Sequence, residues 1–208
     1  MEIIYTILLV MAAFLLGSFP FSLWIGRLFL NKDIRHYGDG NPGATNVFRA
    51  GGRITGCLAV FLDVCKGMPF VYLAHSIFYL PGIAVAVVAI SAMAGHAFSP
   101  LLRFKGGKSV AIAFGALIGL LPHSTMILPF TAFMCLGAFF IADDSWAVIV
   151  APAGSIVYLL ATGVEFWQIL LMIGVLLVLA IKHHRGLSNF PNIKIRPLAW
   201  VKGLRYKI

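Results

Sequence analysis

Long apolar runs alternate with short polar linkers down most of this chain. The runs fall near residues 3–27, 54–79, 82–100, 109–122, 124–142, 145–162 and 165–181. A helix needs roughly 20 apolar residues to cross a hydrocarbon core, so the runs predict about seven transmembrane helices. The fourth run is short and reads as a tilted or partial crossing. The linkers are too brief to hold a second domain, and no internal repeat is present. Residues 1–208 therefore read as a single all-α, multi-pass membrane domain.

Polar residues interrupt two of these runs. The first ends in Gly17-Ser18-Phe19-Pro20, followed by Trp24 and Arg27. Glycine, serine and proline inside a membrane helix mark a kink or a close helix contact, or else line a pocket. The second run holds Asp63 and Lys66, three apart and so on one helix face. A lone charge at the bilayer centre costs about 2.5–3.5 kcal/mol on insertion scales, which favours pairing of the two or snorkelling of Lys66. Either a structural ion pair or a substrate contact fits. Pro69 predicts a kink just beyond. Cys57, Cys65 and Cys135 fall within apolar runs without metal-ligand spacing and read as small core residues.

Composition agrees with the pattern: 61% of the 208 residues are hydrophobic and 11% are charged. The net charge of +9 would suggest a nucleic-acid partner if it were spread over the chain. It is not. Apart from Lys66, every Lys and Arg lies at the end of the first run, in 31–53, in 103–108 or from Lys182 onward. The linkers near 80, 123 and 163 carry none. By the positive-inside rule the basic linkers are cytoplasmic, the N-terminus is outside, and no nucleic-acid role is implied. Residues 1–30 do not read as a removable signal, because their charges follow the apolar stretch. The basic tail, with Trp200 and Tyr206 interleaved, suits an anionic bilayer surface.

Two basic, glycine-rich linkers fall on this one face. In the first, Gly38, Gly40 and Gly43 let backbone N–H groups approach an anion. Asn41-Pro42 reads as an N-cap and first helical residue, so a short helix would offer its positive end to a phosphate. Thr45, Asn46 and Arg49 would share one face of that helix. The alternative is an ordinary turn-rich loop. The second linker, Arg103-Phe104-Lys105-Gly106-Gly107-Lys108-Ser109, opens the fourth run after Gly95-His96. It is not a nucleotide-binding P-loop, which needs a glycine at the position of Leu102 and a preceding strand. It reads as a second helix N-terminus able to hold phosphate, or as a stop-transfer charge cluster. His183 and His184 sit where the last run meets the cytoplasm and are candidates to reach the same site.

Metal chemistry and a metal cofactor are not expected, because the carboxylates are scattered. No Gly-x-Ser-x-Gly nucleophile elbow is present, nor the His-x4-Asp motif of acyltransferases with soluble donors. Two phosphate loops on one face suggest one polyanionic ligand or two phosphorylated ones.

The segment Gly38–Gly52, with Gly95-His96 and Phe104-Lys105-Gly106-Gly107-Lys108, resembles the bacterial acyl-phosphate:glycerol-3-phosphate acyltransferase family, PlsY. The likeness extends to Gly17-Ser18-Phe19-Pro20 and to Asp63…Lys66-Gly67, about the first 115 residues. It implies a seven-helix fold in the cell membrane with a cytoplasmic active site. It also implies acyl transfer from acyl phosphate to glycerol 3-phosphate, without metal or other cofactor, giving lysophosphatidate and phosphate. Carried over, it marks Asn46, Arg49 and Lys108 as catalytic. Ser18, Gly38, Gly40, Asn41, Gly43, Thr45, Lys66, His96, Lys105, Gly106, Gly107 and His183 are then candidates for substrate binding, with His184 a further catalytic candidate. Two departures stand out. The family has Ser where this chain has Asp39, and Lys182-His183-His184-Arg185-Gly186-Leu187 follows its Arg-His-Arg-x-Asn-Ile motif poorly, with Asn189 a candidate for the missing Asn. Asp39 reads either as a base for the acceptor hydroxyl or as a partner of Arg35 or Arg49. Rival readings are a transporter or flippase for a phosphorylated solute, which calls for more polar residues deep in the spans, and a non-catalytic scaffold. The sequence carries no signature of an oligomeric state.

The charge map gives a topology test. Cysteines introduced by Lys32→Cys and Pro81→Cys should label from opposite sides of intact cells; labelling from the same side would remove the common face of the two linkers.

Overall fold

A computed structural model of the chain describes residues 1–124 and 126–191. Among these residues the regular elements are all helical. Five segments are long and apolar enough to cross a membrane: Glu2–Leu30, Arg53–Ile77, Gly82–Leu102, Asp144–Thr162 and Phe166–Leu187. The runs near 109–122 and 124–142 give shorter helices, Val110–Ile118 and Ile127–Phe140. The chain divides into two compact units, Met1–Ser124 and Thr125–Ile208.

The first unit holds α1 (Glu2–Ser18), α2 (Phe21–Leu30), α3 (Ala44–Arg49), α4 (Arg53–Cys65), α5 (Pro69–Tyr72), α6 (Gly82–Ala97) and α7 (Val110–Ile118). Helices α1 and α6 pack backbone to backbone. A Cβ on Gly17 would strike the Ala92 carbonyl, one on Gly95 would strike that of Phe14, and Ser91 Oγ donates to Val10 O at 2.8 Å. Without a hydrophobic drive between helices in lipid, such small-residue contacts are what hold them together. α7 meets α4 in the same way, with Gly115 against the Val64 carbonyl.

The first run breaks between α1 and α2, where Pro20 has no N–H to donate and Phe19 is extended. The break exposes carbonyls that other helices satisfy. Lys66 Nζ donates to Phe19 O at 2.8 Å, and Ser99 Oγ donates to Ser18 O at 2.6 Å. Lys66 is paired in turn with Asp63 Oδ1 at 2.7 Å, and Asp63 Oδ2 accepts from Ser22 Oγ at 2.6 Å. Both charged side chains are at most 3% exposed. The second run breaks too: the helix ends at Cys65 and restarts with Pro69 at the first turn of α5, where a proline fits best.

The linker between α2 and α3 is anchored, not loose. Asn31, in the left-handed region at φ 53°, closes α2 and turns the chain back. Ile34 and Val47 are fully buried in a small core with Leu23, Ile25, Ala50 and Ala59. Burying a side chain of this size is worth about 1.5–3 kcal/mol relative to water. Gly26 and Gly56 make room, since a Cβ at either would meet Ile34 or the Phe48 ring. Asp33 ties Arg27 and Arg35 together, at 3.0 and 2.6 Å. Those hydrogen bonds hold its carboxyl well below the usual carboxylate range despite partial desolvation.

The second unit holds α8 (Ile127–Phe140), α9 (Asp144–Thr162) and α10 (Phe166–Leu187). Gly137 admits the Ala147 carbonyl and Gly154 the Phe133 ring between α8 and α9. Asp143 caps α9 by accepting from Ser145 N–H at 2.8 Å. Gly186 fits against Ser145, and Trp146 Nε1 donates to Asn189 O at 2.8 Å, joining α9 to α10. The expectation that the cysteines are core residues needs correcting: Cys57 and Cys135 are exposed and Cys65 is half-buried. On a helix that faces lipid, the outer surface is as suitable for a small apolar residue as the interior.

The buried pair predicts a non-additive response. Lys66→Met should lower stability by about 3–5 kcal/mol by stranding Asp63, and adding Asp63→Asn should recover much of the loss. Thermal unfolding of both variants in detergent checks this; equal losses would mean that the pair is not what holds this region.

Candidate active site

The two glycine-rich linkers meet in the first unit, and Asp39 joins them. Its Oδ2 lies 2.7 Å from Lys108 Nζ, and its Oδ1 lies 3.9 Å from Arg49 Nη1. Oδ1 also accepts from the Asn41 N–H at 3.2 Å and from Asn46 Nδ2 at 3.1 Å. Asn46, 1% exposed, donates again to Asn41 O at 2.8 Å and accepts from Arg49 Nη1 at 3.2 Å. Asn46 and Arg49, three apart on α3, thus share a face, while Thr45 points to the exposed side. The alternative partner Arg35 is taken by Asp33.

Local backbone geometry sets up this cluster. Gly38, at φ +58°, lies so close to Arg49 and Asn46 that a side chain there would strike both. Asn41 does not cap α3. The cap is Gly43 and the helix begins at Ala44, because the Asp39 carboxylate takes the Asn41 N–H and keeps 39–41 as a turn of its own. With six residues, α3 is too short to carry a substantial dipole, so the anion-binding capacity here rests on side chains.

The second linker is strained and pinned. Arg103, Phe104 and Ser109 all have positive φ, 52°, 63° and 62°. Each such residue costs about 1–3 kcal/mol and persists only where its surroundings impose it. Phe104 N–H donates to Ser99 O at 2.8 Å, Gly107 N–H to His96 O at 3.0 Å, and the buried Ser109 Oγ to Met93 O at 3.0 Å. Gly106 and Gly107 are glycines because the end of α6 fills the space of a side chain: Gly106 faces the His96 carbonyl and Gly107 its ring. The Gly107 N–H is therefore committed to α6, contrary to the expectation that it faces an anion. Lys108 projects into the cluster, while Arg103 and Lys105 are exposed.

Beneath the cluster runs a narrow cleft lined by Ser18, Pro42, Asp63, His96, Ser99 and Gly107. His96 Nδ1 is 3.9 Å from Asp63 Oδ1, so the buried ion pair reaches the underside of the second linker. Ser18 Oγ donates to Phe14 O at 2.7 Å. Lys66, a candidate substrate contact from sequence, directs its Nζ at Phe19 O and Asp63 instead. Ser99 and Ser22 escaped the sequence reading, since a lone serine near an apolar run carries no signal of its own. His183 and His184 lie on α10 in the second unit, each with Nδ1 2.8 Å from a carbonyl of its own helix, Leu179 and Ile181. A carbonyl only accepts, so each Nδ1 carries the hydrogen.

Electrostatically the cluster holds two cations around one carboxylate. Partial desolvation pushes the Asp39 carboxyl up, but its hydrogen bonds from Lys108, Asn41 and Asn46 and the charge of Lys108 outweigh that and leave it below its ordinary value. The ion pair with Lys108 is half-exposed, 42% on Asp39 and 35% on Lys108, so it is worth about 0–1 kcal/mol and is easily exchanged for another anion. Among the described residues no group of three or more His, Cys, Asp or Glu could hold a metal ion. Chemically, the arrangement can clamp a phosphate between Arg49 and Lys108 over a rigid, buried amide.

The chain as a whole is similar to known proteins. The chain is 30% identical over 208 residues to a glycerol-3-phosphate acyltransferase of Streptococcus pneumoniae (strain CGSP14), covering 97% of each. It is 29% identical over 201 residues to that of Streptococcus sanguinis (strain SK36), covering 94% of this chain and 93% of the relative. The solved structure of PlsY, an integral membrane glycerol 3-phosphate acyltransferase in its glycerol 3-phosphate form, superposes with a TM-score of 0.78 at 30% identity. That match covers 88% of this chain and 90% of the other; the form with lysophosphatidic acid gives a TM-score of 0.75 at 28% identity. The family model for glycerol-3-phosphate acyltransferase matches residues 7–192, which take in both linkers and the helices that carry them, and the chain belongs to that family.

Proposed function

We propose that this membrane acyltransferase moves a fatty acyl group from acyl phosphate to glycerol 3-phosphate, releasing lysophosphatidate and phosphate at the cytoplasmic face. The observation that carries the reading is the meeting of Arg49, Asn46 and Lys108 across two linkers, around one exchangeable carboxylate. The glycerol 3-phosphate and lysophosphatidic acid forms of the PlsY structure support the acceptor and the product. The proposed topology keeps seven crossings with the N-terminus outside. The nine-residue α7, about 14 Å long, makes the short fourth crossing with the turns that follow it, which requires the bilayer to thin there.

Each step follows from charge and position. Both substrates carry nearly two negative charges near neutral pH, and fixed cations offset the repulsion between them. The acceptor hydroxyl oxygen forms a bond to the acyl carbon. The bond from that carbon to the phosphate oxygen breaks, and the departing phosphate keeps the electron pair. Acyl phosphate already has a good leaving group, so holding the two reactants together supplies most of the acceleration. Arg49 and Lys108 stabilise the developing charge, and Asn46 sets the Arg49 guanidinium. We place Asp39 as the partner of these cations and not as the base, because both its oxygens are engaged and its carboxyl lies below the ordinary range. The departing phosphate is then the acceptor for the hydroxyl proton.

Two substitutions test the clamp. Arg49→Lys loses the planar fork that holds a phosphate through two parallel bonds, and Lys108→Ala loses a point charge. Each should reduce phosphate release from acyl phosphate and glycerol 3-phosphate by at least about 100-fold, the scale of one lost transition-state donor, while the protein still inserts and purifies. Turnover near that of the wild type in both would overturn the reading.

A further inference from the structure

The two cations of the cluster already hold an anion. Asp39 Oδ2 sits 2.7 Å from Lys108 Nζ, where an oxygen of a phosphate would stand, and Oδ1 lies 3.9 Å from Arg49 Nη1. We propose that Asp39 is a built-in competitor for the phosphate-binding cations, so that a substrate phosphate binds by displacing this carboxylate from Lys108. The inference rests on the acyltransfer reading above.

The geometry suits displacement. The Asp39–Lys108 pair is half-exposed and so reachable and weak, whereas Asn46 beside it is buried and held by two acceptors. The pair can open while the scaffold stays. Asp39 is also tethered, because Oδ1 keeps the Asn41 N–H at 3.2 Å and Asn46 Nδ2 at 3.1 Å after Oδ2 lets go. The displaced carboxylate therefore remains next to the incoming phosphate, and two like charges at that range favour protonation of one of them. The groups facing Asp39 are Lys108 from the linker before α7, Arg49 and Asn46 from α3, and the Asn41 N–H from its own turn. Phosphate binding then takes up a proton near neutral pH. Its affinity is held down by Asp39 most strongly where Asp39 is fully ionised.

The sign of the pH effect follows. The Asp39 carboxyl of the free protein lies below its ordinary value, so the competition is fully present at neutral pH and fades only as acid neutralises the carboxylate. Removing the charge should matter most at pH 7 and least in acid. Salt should shrink the difference, since the groups are partly exposed.

Titration calorimetry on the purified full chain in detergent tests this with three probes: inorganic phosphate, glycerol 3-phosphate and a long-chain alkylphosphonate as a stable stand-in for acyl phosphate. Asp39→Asn should tighten binding on the order of tenfold for the probe whose phosphate meets Lys108. This identifies which substrate uses the clamp. The wild type should show proton uptake, as heat that depends on the buffer, and Asp39→Asn should not. Asp39→Ser, which keeps an oxygen for the Asn41 N–H, should also gain affinity and guards against a folding defect in the first variant. Unchanged or weaker binding by both variants, with binding by the wild type intact, would overturn the competitor role alone. No binding of any probe by the wild type or the variants would overturn the acyltransfer reading together with it.

Discussion

The buried ion pair between Asp63 and Lys66 is the constraint on which the first unit depends. A proline breaks the first membrane run, and the break leaves backbone carbonyls that lipid cannot satisfy. Lys66 meets one of them, Asp63 neutralises Lys66, and Ser22 completes the carboxylate. Pairing alone does not make two buried charges favourable, because desolvation offsets much of their attraction. Their value here lies in direction. A charge pair with fixed hydrogen-bond geometry locks α2, α4 and the break into one arrangement, which interchangeable apolar contacts in lipid would not do.

That arrangement is what the two glycine-rich linkers stand on. The linker before α3 is held by a small core around Ile34 and Val47, and the one before α7 is pinned by carbonyls at the end of α6. Three residues with positive φ in the second linker are strain that only such pinning sustains. His96 connects the levels: its carbonyl and ring receive the Gly106-Gly107 backbone above, and its Nδ1 lies 3.9 Å from Asp63 below. Rigid support suits a reaction whose acceleration comes mainly from position.

At the surface of this support the chain balances opposite charges. Arg49 and Lys108 are both partly exposed, and the Asp39 carboxylate sits between them as their shared counter-charge. The same carboxylate that lowers their mutual repulsion would, on the proposal above, compete with a phosphate for them. Buried Asn46 fixes the position of the Arg49 guanidinium beside them.

Run length and charge position in the sequence were enough to read an all-helical membrane protein, because hydrocarbon demands long apolar helices and basic residues mark one face. The order and spacing of two glycine-rich basic motifs were enough to read the family. Asp63 and Lys66 were legible as a pair, since three residues apart on a helix is contact distance. Other features depended on parts of the chain far apart in sequence. Lys66 turned out to cap the Phe19 carbonyl, 47 residues away. Asp39 found Lys108 and not Arg35, because Asp33 had already claimed Arg35 locally. The glycines of the second linker serve a close approach to α6, which no local rule could announce. Periodicity and motif record what each segment is; only tertiary packing decides which of several compatible partners occupies a polar group, since each has few hydrogens and lone pairs to offer and they go to the groups brought within reach.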